Sequence, residues 1–259
     1  MADPDELLFD FGDDHVATVT LNRPEAHNAF TEWMANAMLA FWKKVRETDD
    51  IHSVVIRANG EKSFCTGIDI KTGKWWDHLN IWNHDDPGIA FGPRTNKVWK
   101  PVIVAVHGMC AGGGMYWLNE ADIIICSEDA TFFDPHANVG IVSALEPIGL
   151  LKRGAPIGEV MRWALMGNEE RMSTETALRI GLVSEVLPRE RLHERAHQIA
   201  AEIAARRPAG VQGTVRAIWE SLDMTRSMAI QNGLSYTHIG NDLGGPTTPP
   251  VKGRKPEIR

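Results

Sequence analysis

Pro101-Val-Ile-Val-Ala-Val-His107-Gly-Met-Cys110-Ala-Gly112-Gly113-Gly114-Met115-Tyr116-Trp-Leu-Asn-Glu-Ala-Asp122 is the stretch whose reading decides the fold. Residues 102 to 106 are a short apolar run rich in β-branched residues, which reads as a buried parallel strand. Three glycines follow, then an apolar stretch of helical character. Strand, glycine turn and helix in succession point free backbone N–H groups at a developing negative charge. No Gly-Lys-Ser/Thr follows the glycines, so this is not a phosphate loop, and the Gly-x-Gly-x-x-Gly dinucleotide pattern is absent too. The alternative use of three small residues is close packing of the helix.

A second stretch, Lys62-Ser-Phe64-Cys65-Thr66-Gly67-Ile68-Asp69-Ile70-Lys71, follows an expected strand at 53–58 and brings its own glycine. Together the two segments resemble the signature segments of the crotonase (enoyl-CoA hydratase/isomerase) superfamily. The resemblance extends upstream to Leu21-Asn22-Arg23-Pro24-Glu25-Ala26-His27-Asn28-Ala29. Downstream it takes in Ala121-Asp122-Ile-Ile-Ile-Cys-Ser-Glu-Asp-Ala130-Thr-Phe132, then Ala177-Leu-Arg-Ile-Gly181-Leu-Val-Ser-Glu-Val186. Most of the chain is covered, in order and with matching spacing.

At 259 residues the chain can bury a substantial core, as one domain or a domain with an appendage. A net charge of −7 argues against non-specific binding to nucleic acid or anionic membranes. The acidic opening Met1-Ala-Asp-Pro-Asp-Glu-Leu lacks the basic region of a secretory leader, and no run approaches the length of a membrane span. Cys65, Cys110 and Cys126 are an odd count without metal spacing, which fits a reducing cytoplasm and no metal site.

Strands are expected at 5–10 and 15–21 around the turn Gly12-Asp13-Asp14. Thr31 is the expected N-cap of a helix to about 47, with Met34, Met38, Phe41, Trp42 and Val45 on one face. Further strands are read at 53–58, 122–126 and 131–133. Ser173 or Thr174 caps a helix that stops at Gly181. Helices follow at 189–206, from Pro208, and at 223–239, with a poorly structured tail at 240–259. Repeated strand–helix alternation predicts an α/β fold with a parallel sheet. The resemblance implies more: a spiral of ββα repeats over residues 1–188, and over 189–259 a C-terminal helical domain that packs on adjacent subunits of a trimer. The apolar face Leu192, Ala196, Ile199 and Ile203 is assigned to that packing. Residues 72–96 look irregular, and four of the nine tryptophans lie between 75 and 99. This segment reads either as a lid on a bulky acyl group or as an insertion packed against a neighbouring subunit.

The resemblance also distributes roles. An acyl-CoA thioester that is deprotonated at Cα, or attacked at its carbonyl or Cβ, accumulates charge on its carbonyl oxygen. By resemblance the N–H groups of Ile68 and Gly113 bind that oxygen, each worth about 3 kcal/mol of barrier. Arg23, Glu25, Ala26, His27, Thr66, Asp69, Ile70, Ala111 and Pro135 lie where the family contacts coenzyme A and substrate. Arg23 taken alone also reads as a solvated strand-end charge. His107 stands where the family often has Asn and is read as holding a turn rather than titrating.

The acid/base half departs from the family. Its hydratases use two glutamates that hold a water and shuttle its proton. Tyr116 occupies the first of those positions and His136, in Phe133-Asp134-Pro135-His136, the second. Neither is a carboxylate, so the two-glutamate mechanism does not carry over. His136 has a pKa suited to general base work. Tyr116 could donate to a substrate oxygen or pack in the core. Glu146 is the nearest downstream carboxylate, two residues after Ala144, where some isomerases of the family place an acid. Its alternative is a favourable charge at a helix start. Asp134 could orient the histidine.

The expectation is an acyl-CoA enzyme of this family that works as a homotrimer or dimer of trimers, with no cofactor beyond the coenzyme A of its substrate. Three alternatives stand beside hydration: isomerisation, C–C or thioester hydrolysis with His136 or Glu146 as base, and a weakly catalytic acyl-CoA-binding protein.

Overall fold

The computed structural model describes residues 5–72, 86–243 and 258, which form two compact units, one ending at Ala205 and the other beginning at Arg206. Trp75, Trp76 and Trp82, on which the lid reading rests, lie outside the described residues.

The first unit opens with the hairpin β1 (Leu7–Phe11) and β2 (Val16–Leu21), paired antiparallel. The expected turn joins them: Gly12 N–H donates to the Val16 carbonyl, and His15 takes the left-handed conformation that reverses the chain. Helix α1 (Glu32–Glu47) starts where the sequence places it, with Thr31 Oγ1 accepting from the Met34 N–H at 3.2 Å. Its face of Met34, Met38, Phe41, Trp42 and Val45 is wholly buried.

From β3 (Ser53–Ala58) onward the chain alternates between two sheets. β3, β5 (Val102–Val106), β7 (Ile123–Ser127) and β9 (Glu185–Leu187) extend the hairpin into a six-stranded sheet ordered β1-β2-β3-β5-β7-β9, parallel from β2 on. β4 (Ser63–Cys65), β6 (Met109–Ala111) and β8 (Thr131–Phe133) form a second parallel sheet. Each turn of the chain thus lays one strand in each sheet before a helical segment returns it, and this is the expected ββα spiral.

β5 explains the unbroken apolar run of 102–106. Val102, Val104 and Val106 face one core, shared with α1, while Ile103 and Ala105 face a second. The second core is closed by α6 (Arg189–Ala204), whose Leu192 and Ala196 are 1% and 0% exposed against Val55, Ile103 and Ile125. Ile199 and Ile203 pack on the same cluster, and the carbonyls of Ala200 and Ala204 accept bonds from Ser53 Oγ and the His52 ring.

Two expectations are corrected here. The apolar face of α6 covers its own sheet rather than another subunit, and the first unit closes at 205 rather than at 188. The reason is that a parallel sheet apolar on both faces needs a helix on each.

Three helices lie between β8 and β9. They are α3 (Leu145–Lys152), α4 (Ile157–Met166) and α5 (Thr174–Arg179), the last capped by Ser173 and followed by Gly181 at φ 78°. The second unit is a pair of mutually packed helices, α7 (Pro208–Ser221) and α8 (Arg226–Leu243). α8 runs into the stretch expected to be a tail. Glu220 joins the two helices by accepting from Arg216, Asn232 and the Tyr236 hydroxyl. No helix among the described residues is long and apolar enough to cross a membrane.

Candidate active site

Three bends of the spiral meet at one place. The first is the loop after β2, where Asn28 is completely buried and left-handed. Its amide donates to the carbonyls of Asn59 (2.9 Å) and Ser63 (3.0 Å), and its Oδ1 accepts the Arg23 N–H (2.8 Å). Arg23 is held between Glu6 (3.0 Å) and Asp69 (2.9 Å), so it braces the first bend against the second. Burial opposes ionisation of Asp69, but bonds from the Lys71 N–H and Arg23 outweigh it and lower its pKa. Thr66 N–H reaches the His27 carbonyl at 3.2 Å, and the His27 ring meets Ser63 Oγ at 3.1 Å. Glu25, Ala26, His27, Thr66, Asp69 and Ile70 are therefore drawn into one neighbourhood. Ile70 is 77% exposed, whereas Asp69 is buried.

The second bend runs through Gly67 and Ile68. Phe30 donates its N–H to Gly67 O (2.8 Å), and its carbonyl accepts from Asp69 N–H (2.9 Å), forming a parallel bridge to Ile68. In such a bridge the central residue uses both its groups, so the N–H of Ile68 points away from Phe30.

The third bend is the triple glycine. Gly112–Met115 is a 3₁₀ turn that passes directly into α2 (Tyr116–Asn119), so the expected helix is two four-residue pieces and its dipole is correspondingly short. Gly113 is its second residue, and the first N–H groups of a helix have no partner within it.

Two of these glycines are required by approach. Gly67 has φ +93°, and a Cβ there would lie 3.1 Å from the Gly113 nitrogen; a Cβ on Gly114 would lie 2.5 Å from the Cys65 carbonyl oxygen. The second and third bends thus touch backbone to backbone, and side chains would part them. Ala111 is buried, and its carbonyl lines the same contact. Close packing of the two bends is therefore what Gly67 and Gly114 serve.

The acid/base candidates gather beside this turn. The Cβ position of Gly112 lies 3.3 Å from Pro135 Cδ and 3.5 Å from His136 Cε1, and that of Gly113 lies 3.2 Å from the Tyr116 ring. His136 Nε2 faces Glu146 Oε1 at 3.9 Å, with Glu146 only 2% exposed. The Tyr116 hydroxyl is flanked by the carboxylates of Glu146 and Asp86. On the other side of the ring, His136 Nδ1 bonds Asp134 Oδ1, which also accepts the His136 backbone N–H at 3.1 Å; Asp134 Oδ2 accepts from Ser143 Oγ.

The electrostatics follow from this packing. Burial raises the pKa of Glu146, although the nearby His136 works against it. The bond to Asp134 raises His136 above its ordinary value, with burial opposing. Burial disfavours the Asp134 charge, yet bonds from His136 and Ser143 hold its pKa down. Burial, then the neighbouring Glu146 and Asp86, push the Tyr116 hydroxyl far up, so it remains a phenol that donates. His107 lies apart from this group. Burial, with Arg189 and His193 nearby, brings its pKa to about 4, so it is neutral at pH 7.

Ser143 and Asp86 are the members that sequence reading missed as site residues. Ser143 lies on the irregular segment before α3, and Asp86 caps a short 3₁₀ turn by accepting the Gly88 N–H. Neither carries a motif. Among the described residues no group of His, Cys, Asp and Glu could hold a metal ion.

Comparison with known proteins agrees with the fold and the order of these segments. The family model for enoyl-CoA hydratase/isomerase matches residues 12–237. Over 225 residues the chain is 35% identical to an (E)-benzylidenesuccinyl-CoA hydratase from Thauera aromatica, covering 87% of this chain and 85% of the relative. It is 30% identical to a mevalonyl-coenzyme A hydratase from Aspergillus fumigatus, covering 97% and 94%. A crystal structure of an enoyl-CoA hydratase/isomerase from Mycobacterium paratuberculosis superposes with a TM-score of 0.82 at 34% identity, covering 91% of this chain and 89% of that one. The chain belongs to the enoyl-CoA hydratase/isomerase family.

Proposed function

We propose that the protein is an acyl-CoA enzyme that adds water to, or removes it from, the Cα–Cβ bond of a thioester, with His136 and Glu146 replacing the glutamate pair. The observation that carries this is the 3.9 Å separation of His136 Nε2 and Glu146 Oε1 beside the Gly112–Gly113 turn. Water addition needs one group to take a proton from water and another to deliver one to Cα. A histidine and a carboxylate at this spacing meet both needs. The N–H groups of Ile68 and Gly113 hold the enolate oxygen, and Tyr116 donates from the helix that begins at the same turn. Coenzyme A lies along Glu25, Ala26, His27, Thr66 and Ile70, with Arg23 and Asp69 shaping the bend beneath it, and Ala111 and Pro135 line the thioester end. The two relatives named as hydratases of substituted acyl-CoAs support hydration over isomerisation or hydrolysis. Three unpaired, buried cysteines suit a reducing cytoplasm.

A panel of enoyl- and β-hydroxyacyl-CoAs, followed by mass spectrometry, tests this. The expected result is gain or loss of one water on a substituted member, with crotonyl-CoA slow by comparison. Solvent deuterium entering Cα without water addition would favour isomerisation. No change in any thioester would leave an acyl-CoA-binding protein.

We also propose a homotrimer or dimer of trimers. The second unit leaves Ile218, Leu222, Met228, Ile230, Leu234 and Ile239 exposed, which suits burial against other copies. Sedimentation at micromolar concentration should read a trimer or hexamer; a monomer would refute it.

A further inference from the structure

The sequence leaves open which member of the His136–Glu146 pair gives the proton and which takes it. Asp134 decides the matter by its position. It is 0% exposed, and a carboxylate so buried is tolerated as an anion only when a positive charge lies beside it. Its partners are the His136 ring, the His136 backbone N–H and Ser143 Oγ. Of these, only the histidine can carry a compensating positive charge. Because Nδ1–H is committed to Asp134, the second ring proton sits on Nε2, the nitrogen that faces Glu146. Among the described residues the charged groups that face the ring are Asp134, Glu146 and Asp86, all carboxylates.

We propose that Ser143 and Asp134 are positioning residues that hold His136 as an imidazolium, so that His136 is the proton donor and Glu146 the base. The inference rests on the hydration reading above. In the hydration direction Glu146 Oε1 takes a proton from water as its oxygen bonds Cβ, and the Cα=Cβ π electrons take the proton from His136 Nε2. The products are a β-hydroxyacyl thioester, a protonated Glu146 and a neutral His136. Return of one proton from Glu146 to His136 restores the starting state.

Asp134⁻, His136⁺ and Glu146⁻ together carry one negative charge and one transferable proton. A pair of glutamates sharing one proton carries the same. The site thus keeps the charge and proton inventory of the missing pair with different residues, and a lone histidine in place of the second glutamate would not.

The test is an NMR titration of the His136 imidazole in the full-length protein without substrate, in wild type, Asp134→Asn, Ser143→Ala and Ser143→Thr. Wild-type His136 should titrate above the ordinary histidine value of 6.5. Asp134→Asn should lower the midpoint by about one to three pH units. Ser143→Ala should lower it by less, and Ser143→Thr should restore it. If Asp134→Asn does not fold, Ser143→Ala carries the test. A wild-type midpoint at or below 6.5, or a midpoint that Ser143→Ala and Asp134→Asn leave unmoved, overturns the assignment.

On an active thioester, Ser143→Ala should move the alkaline limb of kcat/KM to lower pH and leave the acid limb in place. The titration needs no turnover. A raised midpoint in a protein inactive on every thioester would therefore refute the hydration reading, and with it the donor role, while supporting the imidazolium that Asp134 and Ser143 hold.

Discussion

Glu146→Gln should reduce kcat/KM by about 10²- to 10⁴-fold, the range for removal of a positioned general base. Glutamine matches the carboxylate in size, so the α3 start and its packing stay intact. The base alone is lost. Glu146 Oε1 is buried without a hydrogen-bond partner among the described residues, an arrangement that would destabilise a purely structural carboxylate. Burial also raises its pKa, which brings its basicity closer to neutrality. The sign of the pH dependence follows. The base works only when ionised, so activity should fall as pH drops through a midpoint above the ordinary glutamate value. In Glu146→Gln that acid limb should vanish. His136→Gln should be comparably severe, and the double variant should lose little more than either single one, because the pair acts as a unit. Steady-state kinetics on the thioester identified by the panel reads all three. A Glu146→Gln enzyme within threefold of wild type would remove Glu146 from the mechanism.

Gly113→Pro is the second variant with a large expected effect. Proline deletes the N–H assigned to the oxyanion, a loss of about 10²- to 10³-fold in kcat. It also brings a ring into a crowded turn, where a Cβ alone would meet Phe30 at 3.0 Å and Tyr116 at 3.2 Å. Gly113→Ala separates the two effects, since it adds the crowding and keeps the N–H. The expectation is that Gly113→Pro falls at least tenfold below Gly113→Ala, with both proteins still folded by circular dichroism. Equal activities in the two would mean that the glycines serve packing alone and that the oxyanion is held elsewhere.

The sequence by itself determined β1, β2, β3, β5, β7 and β8 and the caps of α1 and α5, whereas the three-residue strands β4, β6 and β9 were not read from it. β3, β5 and β8 begin and end at the residues expected of them, because each apolar run is bounded by a turn or breaker residue: Asn59-Gly60 after β3, Pro101 and Gly108 around β5, and Asp134-Pro135 after β8. Thr31 and Ser173 start helices because a side-chain oxygen satisfies an orphan N–H, a strictly local interaction.

What lay far apart along the chain was decided only by folding. The apolar stripe of α6 specifies that something covers it and not what, and the second face of the sheet answered that question within the same chain. Glu146 stood as an acid/base candidate beside His136 and Tyr116, and only the fold of α3 carried it to His136. Asp134 and Ser143 are nine residues apart with no signature between them, yet the bend after β8 closes them around one imidazole. Periodicity and capping are set by neighbours in sequence, whereas a proton-transfer site is set by which buried charges have no other partner, and only the tertiary structure assigns those partners.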